Sequence, residues 1–197
     1  MRLYKYRTLK NFQFLLDIIV NKRLYAGKYL EMNDPMEGVY TYQSSLLDEQ
    51  HKAIADALSD TKFCSLSQHH DDPLLWAHYA DGNRGCVIEV ELPQGVDCRP
   101  VIYSGPSHIN IEMDLEIKER AKRILTHKAE WWNYEQEVRV FPISGAYIDN
   151  IIIHEVIIGE KADRTEAALL RKIIEKVESS VSVIDRRNSK SRRLYLN

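Results

Sequence analysis

The sequence predicts an α+β fold, a mixed and mainly antiparallel sheet, whole or split, with helices against it. Three observations carry this. Strand-like and helix-like stretches follow one another without the strict alternation of a βαβ chain. Two adjacent apolar runs, Ile151-Ile152-Ile153 and Val156-Ile157-Ile158 closed by Gly159, have the length and β-branched content of buried strand. Helix-start signatures recur at Asp34-Pro35, at Asp72-Pro73 and at Asp163 followed three residues on by Glu166. With 197 residues the chain can bury one sizeable core, so one domain over 1–197 is expected. It carries no linker-like, repetitive or low-complexity tract.

The elements are expected as follows. Residues 3–6 read as a short strand. Thr8 then caps a helix whose Phe12, Leu15, Leu16 and Ile19 share one face, which leaves Arg7 at the turn between them. A second strand is predicted over 23–29. Asp34, Pro35 and Glu37 follow as N-cap, first helical residue and capping-box acid. Helix is predicted over 44–59 and strand over 61–66, running out through Ser65-Leu66-Ser67 into the polar loop 68–72. Leu74 to Ala80 forms two helical turns that Asp81-Gly82-Asn83 stops. In 85–91, Cys86, Ile88 and Val90 alternate with Val87, Glu89 and Glu91, as in a partly buried strand.

Further strand is predicted over 101–103, and a charged helix over 109–127 with Ile117, Ala121, Ile124 and Leu125 as its apolar stripe. Beyond the buried strand of 147–158, Asp163 opens a helix that turns Leu170, Ile173, Ile174 and Val177 inward. The chain is expected to close as a hairpin of 182–185 and 193–196.

Composition narrows the function classes only a little. Hydrophobic residues at 44% and charged residues at 28% are ordinary for a soluble globular protein, and a formal net charge of -2 excludes neither nucleic acid nor acidic small molecules. Three cysteines, Cys64, Cys86 and Cys98, form no C-x-x-C pair, so neither a disulfide framework nor a zinc ribbon is suggested. Together with the lack of any membrane-length apolar run or signal-peptide core, they predict a cytoplasmic protein.

The stretch with the most chemistry is Trp131 to Pro142. Read as strand, it puts Glu135, Glu137 and Arg139 on one face and Val138 and Val140 on the other. Two carboxylates leaving one edge together can stabilise positive charge or manage a proton. The plainer reading is an exposed face on which Arg139 neutralises Glu137.

His69-His70-Asp71-Asp72 places metal-ligand types side by side, but adjacent side chains point apart and no matching H-x-x-x-H occurs. A polar loop is expected there, with no metal. Arg186, Arg187, Lys190, Arg192 and Arg193 form the one basic cluster that could meet a phosphate backbone, though it has no interleaved aromatics for base stacking.

Six segments together resemble a widespread bacterial domain-of-unknown-function family. They are Tyr4-Lys5-Tyr6-Arg7, Asn33-Asp34-Pro35-Met36-Glu37, Phe63-Cys64-Ser65-Leu66-Ser67, Leu74-Leu75-Trp76-Ala77-His78-Tyr79, Gly85-Cys86-Val87-Ile88 and Trp132-Asn133-Tyr134-Glu135-Gln136-Glu137-Val138-Arg139. A weaker resemblance is to the ADP-ribosyltransferase fold. Its arginine-specific branch uses a first-strand Arg, a Ser-x-Ser strand and a Glu-x-Glu strand in that order, matched here by Arg7, by Ser65 and Ser67, and by Glu135 and Glu137. Ser-Leu-Ser stands where Ser-Thr-Ser is usual.

That resemblance implies an NAD-using transferase or glycohydrolase, with a defence or toxin role by analogy. Glu137 would stabilise the oxocarbenium-like transition state and Glu135 would orient the acceptor, a protein or a nucleic acid. Arg7 would hold the pyrophosphate, Ser65 would bond to the nicotinamide ribose or brace Glu137, Ser67 would belong to the same cofactor-binding set, and Tyr79 or Tyr40 would stack on nicotinamide. Two other classes stay open. One is a non-catalytic ligand or nucleic-acid binding module in which these acids and arginines are structural pairs. The other is a metal-dependent phosphoesterase using Asp71, Asp72 and Glu137.

Overall fold

The computed structural model describes residues 1–32, 34–42, 48–109 and 115–187. In chain order the strands are β1 (Arg2–Arg7), β2 (Leu24–Tyr25), β3 (Gly27–Lys28), β4 (Tyr40–Tyr42), β5 (Lys62–Ser67), β6 (Cys86–Glu91), β7 (Asp97–Pro100), β8 (Ser107–Ile109), β9 (Glu137–Phe141), β10 (Tyr147–Ile148), β11 (Ile152–Ile158) and β12 (Ser182–Asp185). The helices are α1 (Phe12–Asn21), α2 (Asp48–Asp60), α3 (Pro73–Tyr79), α4 (Ile117–Ile124) and α5 (Arg164–Val177). This is an α+β protein whose strand pairing is mixed and mainly antiparallel. Among the described residues no helix is long and apolar enough to cross a membrane.

Two compact units are interleaved along the sequence. The first comprises Met1–Leu24, Leu66–Gly95 and Ile148–Asn197, and the second Tyr25–Ser65 and Val96–Tyr147.

In the first unit the strand order is β12-β11-β6-β1, with β12 parallel to β11 and the other pairs antiparallel. Every residue of β6 from Cys86 to Val90 is buried. The alternation that reads as a half-buried strand is thus buried on both faces, because strands pair on both its edges and side chains of both parities lie in the core. Helix α1 sinks Leu15, Ile18 and Ile19, and α5 sinks Ala167, Leu170 and Ile174. Asp163 caps α5 through bonds from the Thr165 and Glu166 amides, as its position predicts. Thr8 instead accepts from the Lys10 amide, ahead of the helix.

Two glycines here are set by close approach. A Cβ on Gly85 would lie 2.1 Å from the Arg7 carbonyl oxygen, and one on Gly159 would lie 2.2 Å from that of Asn83.

In the second unit β3, β5, β9 and β7 lie side by side in that order, and β4 pairs with β8 in parallel. Its core gathers Ile54 and Leu58 from α2, Ala121 and Ile124 from α4, and Phe63, Leu125 and Phe141.

Several local expectations change. The strand predicted over 23–29 is two short pieces followed by a 3-10 turn at Tyr29–Glu31. Asp34 does accept from the Met36 amide, but the segment closes as a turn and not a helix, because Gly38 adopts a left-handed φ of 75°. No strand forms over 101–103. There Ile102 only bridges His127, and the ladder lies just before it, in β7. Residues 44–47, 110–114 and the far arm of the expected C-terminal hairpin lie outside the described residues, and β12 pairs with β11.

Candidate functional site

Candidate residues fall into two groups, one in each unit. In the second unit all of β9 is buried, Glu137 and Arg139 included. The plainer sequence reading, an exposed face, is therefore corrected: the pair exists, and it lies in the core. Glu135 arrives differently from the prediction. It ends the 3-10 turn Glu130–Glu135, and Gln136 then takes a left-handed φ of 42°, so Glu135 does not share the strand face. It joins the cluster through Lys128, whose Nζ lies 2.6 Å from Glu135 Oε2 and 3.2 Å from Glu137 Oε2.

Arg139 is 1% exposed and gives all its donors away. Nε meets Glu137 Oε1 at 3.0 Å, and Nη2 meets Glu137 Oε2 at 3.3 Å. Nη1 and Nη2 meet the two Glu37 oxygens at 2.5 and 2.8 Å, and Nη1 also donates to the Leu125 carbonyl. The guanidinium stacks on Phe63 at 4.4 Å, and Lys128 lies 4.8 Å from the Trp132 ring centre. Three carboxylates thus face two cations in the core.

Burial pushes the Glu37 carboxyl up, against the pull of Arg139. Burial also opposes the charge of Glu137, but Arg139 and Lys128, with a hydrogen bond from Ser65, outweigh it and hold the group down to about 2. A carboxylate so held is a weak base near neutral pH, and N–H donors occupy both its oxygens. Ser65 therefore does brace Glu137, one of the roles expected of it. Sequence reasoning gave Glu37 only a capping role and missed Lys128 altogether. The Asn-Asp-Pro-Met-Glu segment held a clue to the first, since a turn can aim its acid away from the backbone. For Lys128 no local pattern exists.

In the first unit Lys5, Tyr6, Arg7, Thr8, Asn11, Phe14, His78 and Tyr79 line a concave site of about 240 Å³. Its walls come from the end of β1, the start of α1 and the last turn of α3. Helix α3 packs on β1, and the Tyr6 ring meets Trp76 of α3 edge-on at 5.7 Å, which brings Tyr79 beside Arg7. The Arg7 Nε is buried and has no hydrogen-bond partner among the described residues. An unpaired buried donor carries a desolvation cost that an anion would remove. The volume suits a phosphate with one ring, and is too small to enclose a whole dinucleotide.

The remaining candidates have structural tasks. Ser67 is buried and its Oγ accepts from the His69 amide at 3.0 Å. Asp72 caps α3, taking the Leu74 and Leu75 amides, while Asp71 pairs with Arg186 at 2.6 Å. The His69 and His70 carbonyls accept from Tyr6 and Trp76. Tyr40 lies with Tyr42 and His51 in the second unit. Of the basic cluster, Arg186 is buried, Arg187 donates to the Ala162 carbonyl, and Lys190, Arg192 and Arg193 lie outside the described residues.

Compared with family models, curated proteins and solved structures, the chain matches none.

Proposed function

We propose that this chain is a non-catalytic binding module for a small anionic ligand that carries a planar ring, held in the pocket around Arg7. The observation that carries the reading is the buried Nε of Arg7, which has no hydrogen-bond partner among the described residues, in a concave site shared with Lys5, His78 and two aromatic walls, Phe14 and Tyr79. Arg7 supplies a planar donor fork for a phosphate or carboxylate, and Tyr79 supplies a face for the ring. Glu135 and Glu137 then serve the fold, since their carboxylates are engaged by Lys128 and Arg139. A reducing, cytoplasmic setting fits the free thiols Cys64, Cys86 and Cys98. Membership of the bacterial domain-of-unknown-function family is part of the same proposal.

Calorimetry with AMP, nicotinamide mononucleotide and inorganic phosphate tests it. Binding by wild type that Arg7→Gln weakens supports the module, and the lack of any binding removes it.

The NAD-using transferase or glycohydrolase, with a protein or nucleic-acid acceptor and a defence role, is the second reading. Two features favour it: Arg7 and Tyr79 share one pocket, and Ser65 bonds to Glu137. It requires nicotinamide release from NAD that Glu137→Gln abolishes. Wild type that releases none leaves the binding module.

A further inference from the structure

We propose that Arg186 is a positioning residue for the Arg7 pocket, holding α3 so that His78 and Tyr79 form its wall. This rests on the ligand-binding reading of that pocket. Arg186 touches Trp76 within α3 and, beyond the helix, Asp71 on one side and Asn83 on the other. Nη2 lies 2.6 Å from Oδ1 of Asp71, just before the cap residue Asp72. Nη1 donates to Oδ1 of Asn83, just past the helix end. The guanidinium lies 4.6 Å from the ring centre of Trp76, in mid-helix. At 9% exposure Arg186 is itself buried, so these contacts are made away from bulk water.

Helix α3 needs such outside support. It has seven residues, and isolated helices shorter than about 12–15 are marginal in water. It leads into three successive left-handed residues, Asp81, Gly82 and Asn83, at φ of 49°, 62° and 69°. Two of them carry side chains, and such a run persists only where its surroundings fix it. Here the Asn83 amide donates to the Trp76 carbonyl, the Asn83 carbonyl accepts from the Lys161 amide at 2.9 Å, and the side chain is taken by Arg186. The turn then delivers Gly85 against the Arg7 carbonyl. One guanidinium therefore fixes the helix that bears Tyr79 and the turn that abuts Arg7.

Arg186 directly follows β12, so the docking of this late segment and the shape of the pocket are coupled. Coupling in a binding equilibrium is reciprocal: a ligand that uses the α3 wall tightens the segment that carries Arg186.

AMP and inorganic phosphate serve as the test pair, because AMP uses the ring wall and phosphate needs only the cations. In the full chain, Arg186→Gln is expected to weaken AMP about tenfold and phosphate less than threefold. Added to Tyr79→Ala it changes the AMP-to-phosphate ratio no further. AMP is also expected to slow amide exchange over 181–187 in wild type. If Arg186→Gln does not fold, Asn83→Ala removes one of the three contacts and is expected to shift the ratio in the same direction.

Parallel losses for both probes, or full AMP affinity in a folded variant, would overturn the positioning role and leave the pocket reading standing. Wild type that binds neither probe would instead end the pocket reading, and this inference with it.

Discussion

Arg139, in the middle of β9 in the second unit, and Arg7, at the end of β1 in the first, are both strand arginines, yet their surroundings differ. Arg139 has five donors directed at two carboxylates and a carbonyl, all out of water. Among the described residues, Arg7 keeps a buried Nε without a hydrogen-bond partner, beside an open pocket. A charge that the fold has fully neutralised can hold elements together and has little left for a ligand. A charge left partly unanswered is costly to the fold, and it persists where something else supplies the counter-charge. The Glu-x-Glu segment, the stronger-looking motif in the sequence, belongs to the first kind, and the single Arg7 to the second.

The largest effect that would break this contrast is expected at Arg139. Arg139→Met strands Glu37 and Glu137 in the core and is expected to cost about 3–5 kcal/mol, read as a lower urea midpoint. A loss under about 1 kcal/mol would mean that the cluster does not hold the second unit together.

Next comes the pH dependence. The folded Glu137 sits at about 2 against an ordinary 4.5, so its contribution is present above 4.5 and is lost as the pH falls toward 2. That limb carries roughly 3 kcal/mol, and Glu137→Gln is expected to flatten it in urea midpoints measured from pH 7 to pH 3. Glu37 acts with the opposite sign. Its raised value makes its contribution fullest at low pH and smaller as the pH climbs through the folded value, so Glu37→Gln steepens the acid limb.

Arg7→Gln is expected to behave otherwise. It should lower the affinity for AMP about 10- to 100-fold, the worth of one or two charge-assisted hydrogen bonds, while the urea midpoint hardly moves. An unfolded Arg7→Gln protein would show that Arg7, like Arg139, serves the fold. The smallest change is Asp72→Ala, which removes the α3 cap at a cost of about 1 kcal/mol and loosens the wall that carries Tyr79.

Local chemistry made much of this molecule legible in advance. Both caps at Asp72 and Asp163 and the amphipathic face of α1 follow from hydrogen-bonding groups or apolar spacing within a few residues, and so does the strand of the stretch 147–158, which is two strands, β10 and a β11 that leaves Ile152 exposed. The predictions that failed did so where a single backbone angle intervened. Gly38 ends the Asp34 segment as a turn, and Gln136 breaks the expected strand between Glu135 and Glu137. Glu37 lies 102 residues from the arginine that takes its carboxylate, a distance beyond any window of periodicity.

By itself, then, the sequence determined the α+β class, most of the helices and strands, and the residue types able to do chemistry, because these depend on neighbours along the chain. Only the tertiary structure decided which charges are spent and which are left. Whether a carboxylate is a base or one half of an ion pair depends on the groups folding brings within about 3 Å of it, and on how much water folding excludes.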